Sequence, residues 1–209
     1  MKEYSVGVWD FDGVIKESVA VKGEAFAEVF SSFGSDIADR VRVHHGLHGG
    51  VSRYEKIPLY LSWAGVNADE SVVEQYSSRF SEVVVGRVIR SSWVPGVEAL
   101  LKENSHNQDF FLLSATPLEE LIGIVRVLGL GSSFLEIHGA PPDKSEAIQS
   151  ILQQHGYDPE DCLMIGDSKG DQLAAEANGV DFLLRKHPLN ADAFRDYSGS
   201  FITGFQEFL

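Results

Sequence analysis

The stretch Tyr4-Ser5-Val6-Gly7-Val8-Trp9-Asp10-Phe11-Asp12-Gly13-Val14 decides how this chain is read. A short apolar run rich in valine ends abruptly on two carboxylates and a glycine. That is the pattern of a strand buried on both faces of a parallel sheet and followed by a polar loop. The run at 110–113 leads in the same way into Ser114-Ala115-Thr116-Pro117, and the run at 162–165 leads into Gly166-Asp167-Ser168-Lys169-Gly170-Asp171. In open α/β sheets ligands collect beyond the carboxyl ends of the strands, so the spacing predicts that Asp10, Ser114 and Asp167 converge.

Outward from the first strand the pattern turns helical. Val21, Ala25, Val29 and Phe33 recur at helical spacing, with Ser18 placed to cap the segment and Gly34 to end it. Further helices are predicted over 52–64, closed by Gly65, and over 67–90, where Val72, Tyr76, Phe80, Val83 and Val84 share a face. Val94-Pro95-Gly96 reads as a return linker into a short helix. Beyond it, helices after Pro117 and Lys144 and over 172–177 alternate with strands at 134–138, 162–165 and 180–184, while 201–209 is too short to classify. The predicted fold is α/β, a three-layer Rossmann-like parallel sheet core (1–15 and 93–209) with a small inserted all-helical cap (16–92).

The polar clusters suit one chemistry. Asp10 and Asp12 lie on opposite sides of a turn that Gly13 allows, so one can attack while the other moves protons. An aspartate attacks phosphorus when magnesium and cationic donors neutralise the developing charge. Asp167 and Asp171 are hard oxygen ligands suited to Mg2+, while Ser114 and Lys144 offer a hydroxyl and a point charge to phosphate oxygens. Taken singly each motif has an ordinary reading: Asp-x-Asp-Gly as a turn, Ser-x-Thr-Pro as a helix cap, Gly-Asp as a strand-to-helix junction, Lys144 as a solvated helix-start residue. Their order and their placement after strand-like runs favour a single site.

Asp-x-Asp-Gly-Val at 10–14, Ser-x-Thr-Pro at 114–117, Lys144 and Gly-Asp-x-x-x-Asp at 166–171 together resemble the four motifs of the haloacid dehalogenase superfamily. The resemblance implies Asp10 as nucleophile, Asp12 as general acid and base, and Ser114, Ala115 and Lys144 at the phosphate. It further implies a metal set of Asp10, the Asp12 backbone carbonyl and Asp167, with Asp171 as ligand, outer partner or anchor for Lys144. The insert after the first motif is similar to the helical cap of the branch containing phosphoglycolate phosphatase and β-phosphoglucomutase, where specificity would reside. Within it, Gly49-Gly50-Val51-Ser52-Arg53-Tyr54-Glu55-Lys56 is the candidate substrate loop, with Arg53 and Lys56 as substrate ligands and Lys22 a weaker candidate. His44 and His48 have chelating i, i+4 spacing, but no third ligand accompanies them, which disfavours zinc.

The expected activity is magnesium-dependent hydrolysis of a small phosphorylated metabolite, a sugar phosphate or phosphoglycolate-like compound, through a phosphoaspartate. Asp12, Asp167 and Asp171 argue against a haloalkanoate dehalogenase. The alternatives are a sugar-phosphate phosphomutase and a receiver-like phosphoaspartate signalling domain, the latter disfavoured by the insert and by Asp12. Across 209 residues the net charge of −14 speaks against nucleic-acid or anionic-membrane partners. No apolar run approaches the ~20 residues of a membrane span, and no cleavable signal pattern is evident. The single cysteine, Cys162, lies in a predicted buried strand and excludes an internal disulfide. These features predict a cytoplasmic protein, monomer or weak dimer.

Overall fold

A computed structural model describes residues 3–141 and 143–208. Six parallel strands form one sheet in the order β3-β2-β1-β4-β5-β6. They are β1 (Val6–Asp10), β2 (Asp109–Pro117), β3 (Glu136–Ala140), β4 (Cys162–Gly166), β5 (Asp181–Arg185) and β6 (Phe201–Ile202). Strand β1 lies in the middle, pairing Trp9 with Leu112 on one side and with Ile165 on the other. The chain crosses away from β1 in both directions, so the ends of β1, β2 and β4 meet at a topological switch point.

Side-chain alternation builds the layers. Val6 and Val8 of β1, Phe111 and Leu113 of β2 and Met164 of β4 pack on α7 (Lys144–His155) and α8 (Lys169–Ala177). Trp9, Phe110, Leu112 and Ile165 face the opposite way, toward α5 (Val97–Glu103) and α6 (Leu118–Val127). With period two in every strand, both faces are apolar and the runs read as continuous hydrophobics. Cys162 is fully buried within β4, and burial pushes its thiol up to about 11.

Between β1 and α5 the chain forms four helices: α1 (Val19–Phe30), α2 (Ser35–Leu47), α3 (Arg53–Trp63) and α4 (Glu70–Arg90). Their core gathers Phe26, Phe30, Tyr60, Tyr76 and Phe80, with Phe26 stacked on Phe80 at 3.7 Å between ring centroids. Outgoing and returning connections run side by side: Glu17 N donates to Ser92 O, and Val94 N donates to Ile15 O. Lys16 is buried at this crossing, its ammonium donating to Ile89 O and lying 4.2 Å from the Trp93 ring centroid.

Several boundaries differ from the sequence expectation. Helix α2 has no counterpart in the prediction because its buried stripe is only Ala38, Val41 and His45, too sparse to register as periodicity. Helix α4 starts at Glu70, where the Asp69 side chain accepts from Val72 N, rather than at 67. Strand β3 begins two residues late; Leu135 N already pairs with Phe110 O, but Phe134 turns into the core. Ser18 does not cap α1 with its side chain, which is drawn instead to Asp12.

Candidate active site

Strand β1 delivers Asp10 to the carboxyl edge of the sheet, 5% exposed. Its Oδ1 accepts from Lys144 Nζ at 2.5 Å. Lys144 stands at the first position of α7, whose Asp143 cap and Glu146 form a reciprocal capping box that fixes where the helix begins. The same ammonium bridges to Oδ1 of Asp171, which is completely buried. The other Asp171 oxygen accepts from Ser168 Oγ at 2.8 Å, Ser168 N at 2.9 Å and Asp167 N at 3.1 Å. Both Asp171 oxygens are therefore engaged in holding Lys144 and the turn after β4.

Asp167 carries a bond that sequence reading missed. Its Oδ2 lies 2.8 Å from His187 Nε2, and Asn190 donates to its backbone oxygen at 2.8 Å. Burial and the neighbouring Arg185 charge lower His187 to about 4, so an uncharged ring shares a proton with the Asp167 carboxyl across this contact. His187 and Asn190 follow β5, so the strand-end rule applied once more would have pointed to them. Arg185, in β5, forms a bidentate pair with Glu17.

Asp12 is held by a different set. Ser18 Oγ donates to its Oδ1 at 2.6 Å, and Lys22 Nζ pairs with its Oδ2 while also donating to Thr116 Oγ1 at 2.8 Å. Both Ser18 and Lys22 belong to the start of the helical insert, so Asp12 is tied to the insert and Asp10 to the sheet core. Gly13 makes this loop possible: at φ +78° a Cβ would come within 2.1 Å of Asp167 Oδ2. Ser114 is buried at the turn of β2, its Oγ accepting from Thr116 N at 3.1 Å, and Ala115 reaches the pocket.

Oxygen atoms of Asp10, Asp167 and Asp171 lie within 4.8 Å of one another, an arrangement able to hold a cation. Burial, opposed by Lys144 and reinforced by the other carboxylates, drives Asp10 well above the ordinary range. Asp167 is raised by burial and then by Asp171. For Lys144, burial acts downward but Asp10 and Asp171 outweigh it, and the net shift is upward. The Asp12 carboxylate lies outside the three-oxygen cluster, turned toward Ser18 and Lys22.

A narrow pocket joins the two halves. From the core come Asp10, Asp12, Ala115, Lys144 and Asp167; from the insert come Val19, Lys22, His45, Gly49 and Gly50. Gly50 sits so close to the turn after β4 that a Cβ would fall 2.4 Å from Ser168 Oγ. The two glycines expected to form a substrate loop thus border the pocket, but the two cations expected beside them do not. Arg53 turns to α6 and forms a buried bidentate pair with Glu120 at 2.6 and 3.0 Å, also donating to Ser81 Oγ at 2.6 Å. Lys56 is 1% exposed and contacts His45 Nδ1 at 3.1 Å. Residues three apart on a helix share a face, and here both cations fall on its buried side. His44 contacts the Tyr60 hydroxyl at 3.0 Å and packs on the His48 ring, away from the pocket.

Comparison with known proteins places the chain in a family. The family model for haloacid dehalogenase-like hydrolases matches residues 8–184. Phosphoglycolate phosphatase 1 of Pseudomonas aeruginosa is 27% identical over 179 residues, which is 83% of this chain and 66% of that protein, so the chain spans just under two thirds of that relative's length. Among solved structures, a putative phosphoglycolate phosphatase from Lactobacillus plantarum superposes with TM-score 0.76 at 16% identity, covering 99% of this chain and 98% of the other. β-Phosphoglucomutase from Clostridium difficile superposes with TM-score 0.76 at 17% identity, covering 99% and 93%. The chain belongs to the haloacid dehalogenase-like hydrolase family.

Proposed function

We propose that this protein is a magnesium-dependent phosphatase that hydrolyses a small phosphorylated metabolite, a sugar phosphate or phosphoglycolate-like compound, through a phosphoaspartate on Asp10. Residues 1–15 and 93–209 act as the catalytic core, and 16–92 as the cap that closes on the substrate. The observation that carries this reading is the separation of the two carboxylates in one pocket. Asp10 is paired with Lys144, and Asp12 is held by Ser18 and Lys22.

The roles follow from those partners. An oxygen of Asp10 attacks phosphorus, the ester P–O bond breaks, and its electron pair leaves with the alcohol oxygen, which Asp12 protonates. Asp12 then takes a proton from water as that water attacks the phosphoaspartate, and the bond to Asp10 breaks to release phosphate. Lys144 offers its charge to the transferred group and the Ala115 segment borders its oxygens, while Ser114, buried beneath that segment, holds the turn by accepting from Thr116 N. Bound Mg2+ would supply neutralising charge at the phosphate oxygens. Asp10, Asp167 and the Asp12 backbone carbonyl would hold it, a donor set of hard oxygens whose crowding a divalent cation relieves. Asp171 serves better as the anchor of Lys144 than as a ligand, since both its oxygens are occupied.

The test is release of phosphate from p-nitrophenyl phosphate with Mg2+, with chelator, and in Asp10→Asn. Activity that needs the metal and disappears in the variant supports the reading; wild-type turnover in Asp10→Asn overturns it. Supplying a sugar bisphosphate distinguishes hydrolysis from isomerisation of the sugar phosphate.

A further inference from the structure

Both partners of the Asp12 carboxyl hang from the start of α1. Ser18 Oγ donates to Asp12 Oδ1 at 2.6 Å, and Ser18 O accepts from Lys22 N at 2.9 Å, which places Lys22 one turn into the helix. Wherever Ser18 sits, both partners follow. With its hydroxyl on Asp12, Ser18 leaves α1 without a side-chain cap, so the segment is held from outside. Glu17 N donates to Ser92 O at 2.9 Å. The Glu17 carboxylate meets the Arg185 guanidinium through two hydrogen bonds, one of 3.0 Å from Nη1 and a second from Nη2. Such a fork-to-fork pair fixes direction as well as distance. Arg185 is buried and belongs to β5, which pairs with β4 on one side and β6 on the other, so the anchor is the sheet itself. Its main-chain oxygen accepts at 2.9 Å from Asn190 Nδ2, the amide that also donates to Asp167 O.

We infer that Arg185 is a positioning residue for the proton-transfer step: by clamping Glu17 it fixes residues 17 and 18 against the sheet, and so sets the direction from which Asp12 meets the leaving oxygen. The inference rests on the phosphatase reading above and adds a residue that does not border the pocket. Proton transfer needs Asp12 within hydrogen-bond reach of the oxygen it serves, and a displacement of about 1 Å can cost about 100-fold in rate. Arg185 therefore acts through three links: its guanidinium on Glu17, the peptide between Glu17 and Ser18, and Ser18 Oγ on Asp12. The two ends of the clamp lie 168 positions apart, so it forms only once β5 has joined the sheet.

The test compares kcat/KM for p-nitrophenyl phosphate and phenyl phosphate, two esters of similar shape whose leaving groups differ in their need for a proton. p-Nitrophenolate departs as a stable anion, whereas the phenyl ester gains more from an acid placed at its leaving oxygen. Because kcat/KM covers the steps up to cleavage of the ester, breakdown of the phosphoaspartate does not enter. Glu17→Met should lower the phenyl-to-nitrophenyl ratio about 10-fold, a part of the ~10²–10⁴-fold that general acid catalysis contributes. Arg185→Met should shift it by the same factor, and the double variant no further than either. Glu17→Gln, whose amide oxygen still accepts from the guanidinium, should keep part of the wild-type ratio. Glu17 is partly exposed, so its variants read the clamp even where Arg185→Met does not fold. Equal losses on both esters, whatever the Tm, would mean that the pair only stabilises the fold. That result overturns the inference and leaves the phosphatase reading intact, as does an unchanged ratio or a wild type that cleaves only the nitrophenyl ester. A wild type that cleaves neither ester defeats both.

Discussion

Lys144 Nζ lies 2.5 Å from Asp10 Oδ1 and at the same time pairs with Asp171, so one ammonium at a helix start bridges two buried carboxyl groups. Neither carboxylate is far from the other acid of the cluster, and Asp10 already sits well above the ordinary carboxylate range. Lys144→Met would leave both acids without their cation. Breaking a buried pair in this way costs about 3–5 kcal/mol, so thermal unfolding should show a clearly lowered Tm. Turnover of p-nitrophenyl phosphate should fall by about 100-fold or more, the usual loss when one preorganised charge is removed from a transition state. A variant with wild-type Tm and turnover would contradict both roles.

His187 determines how Asp167 presents itself. With His187 Nε2 on Oδ2 and Asn190 on the main-chain oxygen, the carboxylate is fixed in rotation and one oxygen remains for a metal. Outer partners of this kind are worth about 10- to 100-fold in metal affinity. Titration calorimetry of Mg2+ into His187→Leu should show weaker binding by that factor; unchanged affinity would mean that Asp167 is positioned without it.

The difference between what the sequence discloses and what it hides has a physical basis. Asp10, Ser114, Lys144 and Asp167 are readable because each follows a short apolar strand or opens a helix, and parallel strands deliver their ends to one edge. Their chemistry depends on local position. The partners of Asp12 are less visible: Ser18 looks like a helix cap by residue type, yet a carboxylate 2.6 Å away is the stronger acceptor for its hydroxyl. Arg53 is hidden altogether, since the acid that claims it lies 67 positions away in α6. Helix α2 escapes for the opposite reason, having too little apolar surface to mark it.

Lys56 gives the stability a pH dependence whose sign can be worked out. Burial, with Lys22 nearby, lowers it to about 7 in the folded protein against 10.5 in the unfolded chain. Between those values the unfolded chain holds the proton and the folded protein has released it. Unfolding therefore takes up a proton, and stability rises with pH through this window. Below pH 7 both states are protonated and the full cost of burying the charge remains. From pH 7 to 9 the contribution approaches about 1.4 kcal/mol per pH unit, the limit for one proton. Denaturant unfolding of wild type and Lys56→Met should give curves whose difference has that slope; a constant offset between them would show that Lys56 does not change its charge.

Arg53 and Glu120 fasten the insert to the core. Arg53 opens α3, Glu120 lies in the first turn of α6, and Ser81 of α4 donates to the same carboxylate at 2.6 Å. The arginine is 4% exposed, so the pair is largely desolvated and either single removal leaves a buried charge uncompensated. If this contact is what Arg53 contributes, Arg53→Met and Glu120→Gln should each destabilise the protein by about 3–5 kcal/mol, and the double variant by much less than their sum. Their effects on kcat/KM should also match, because both loosen the same joint. A substrate role for Arg53 predicts a different outcome: Arg53→Met would raise KM sharply while Glu120→Gln, which frees the guanidinium, would not. Measuring Tm and KM across the four proteins separates a fastening pair from a substrate ligand.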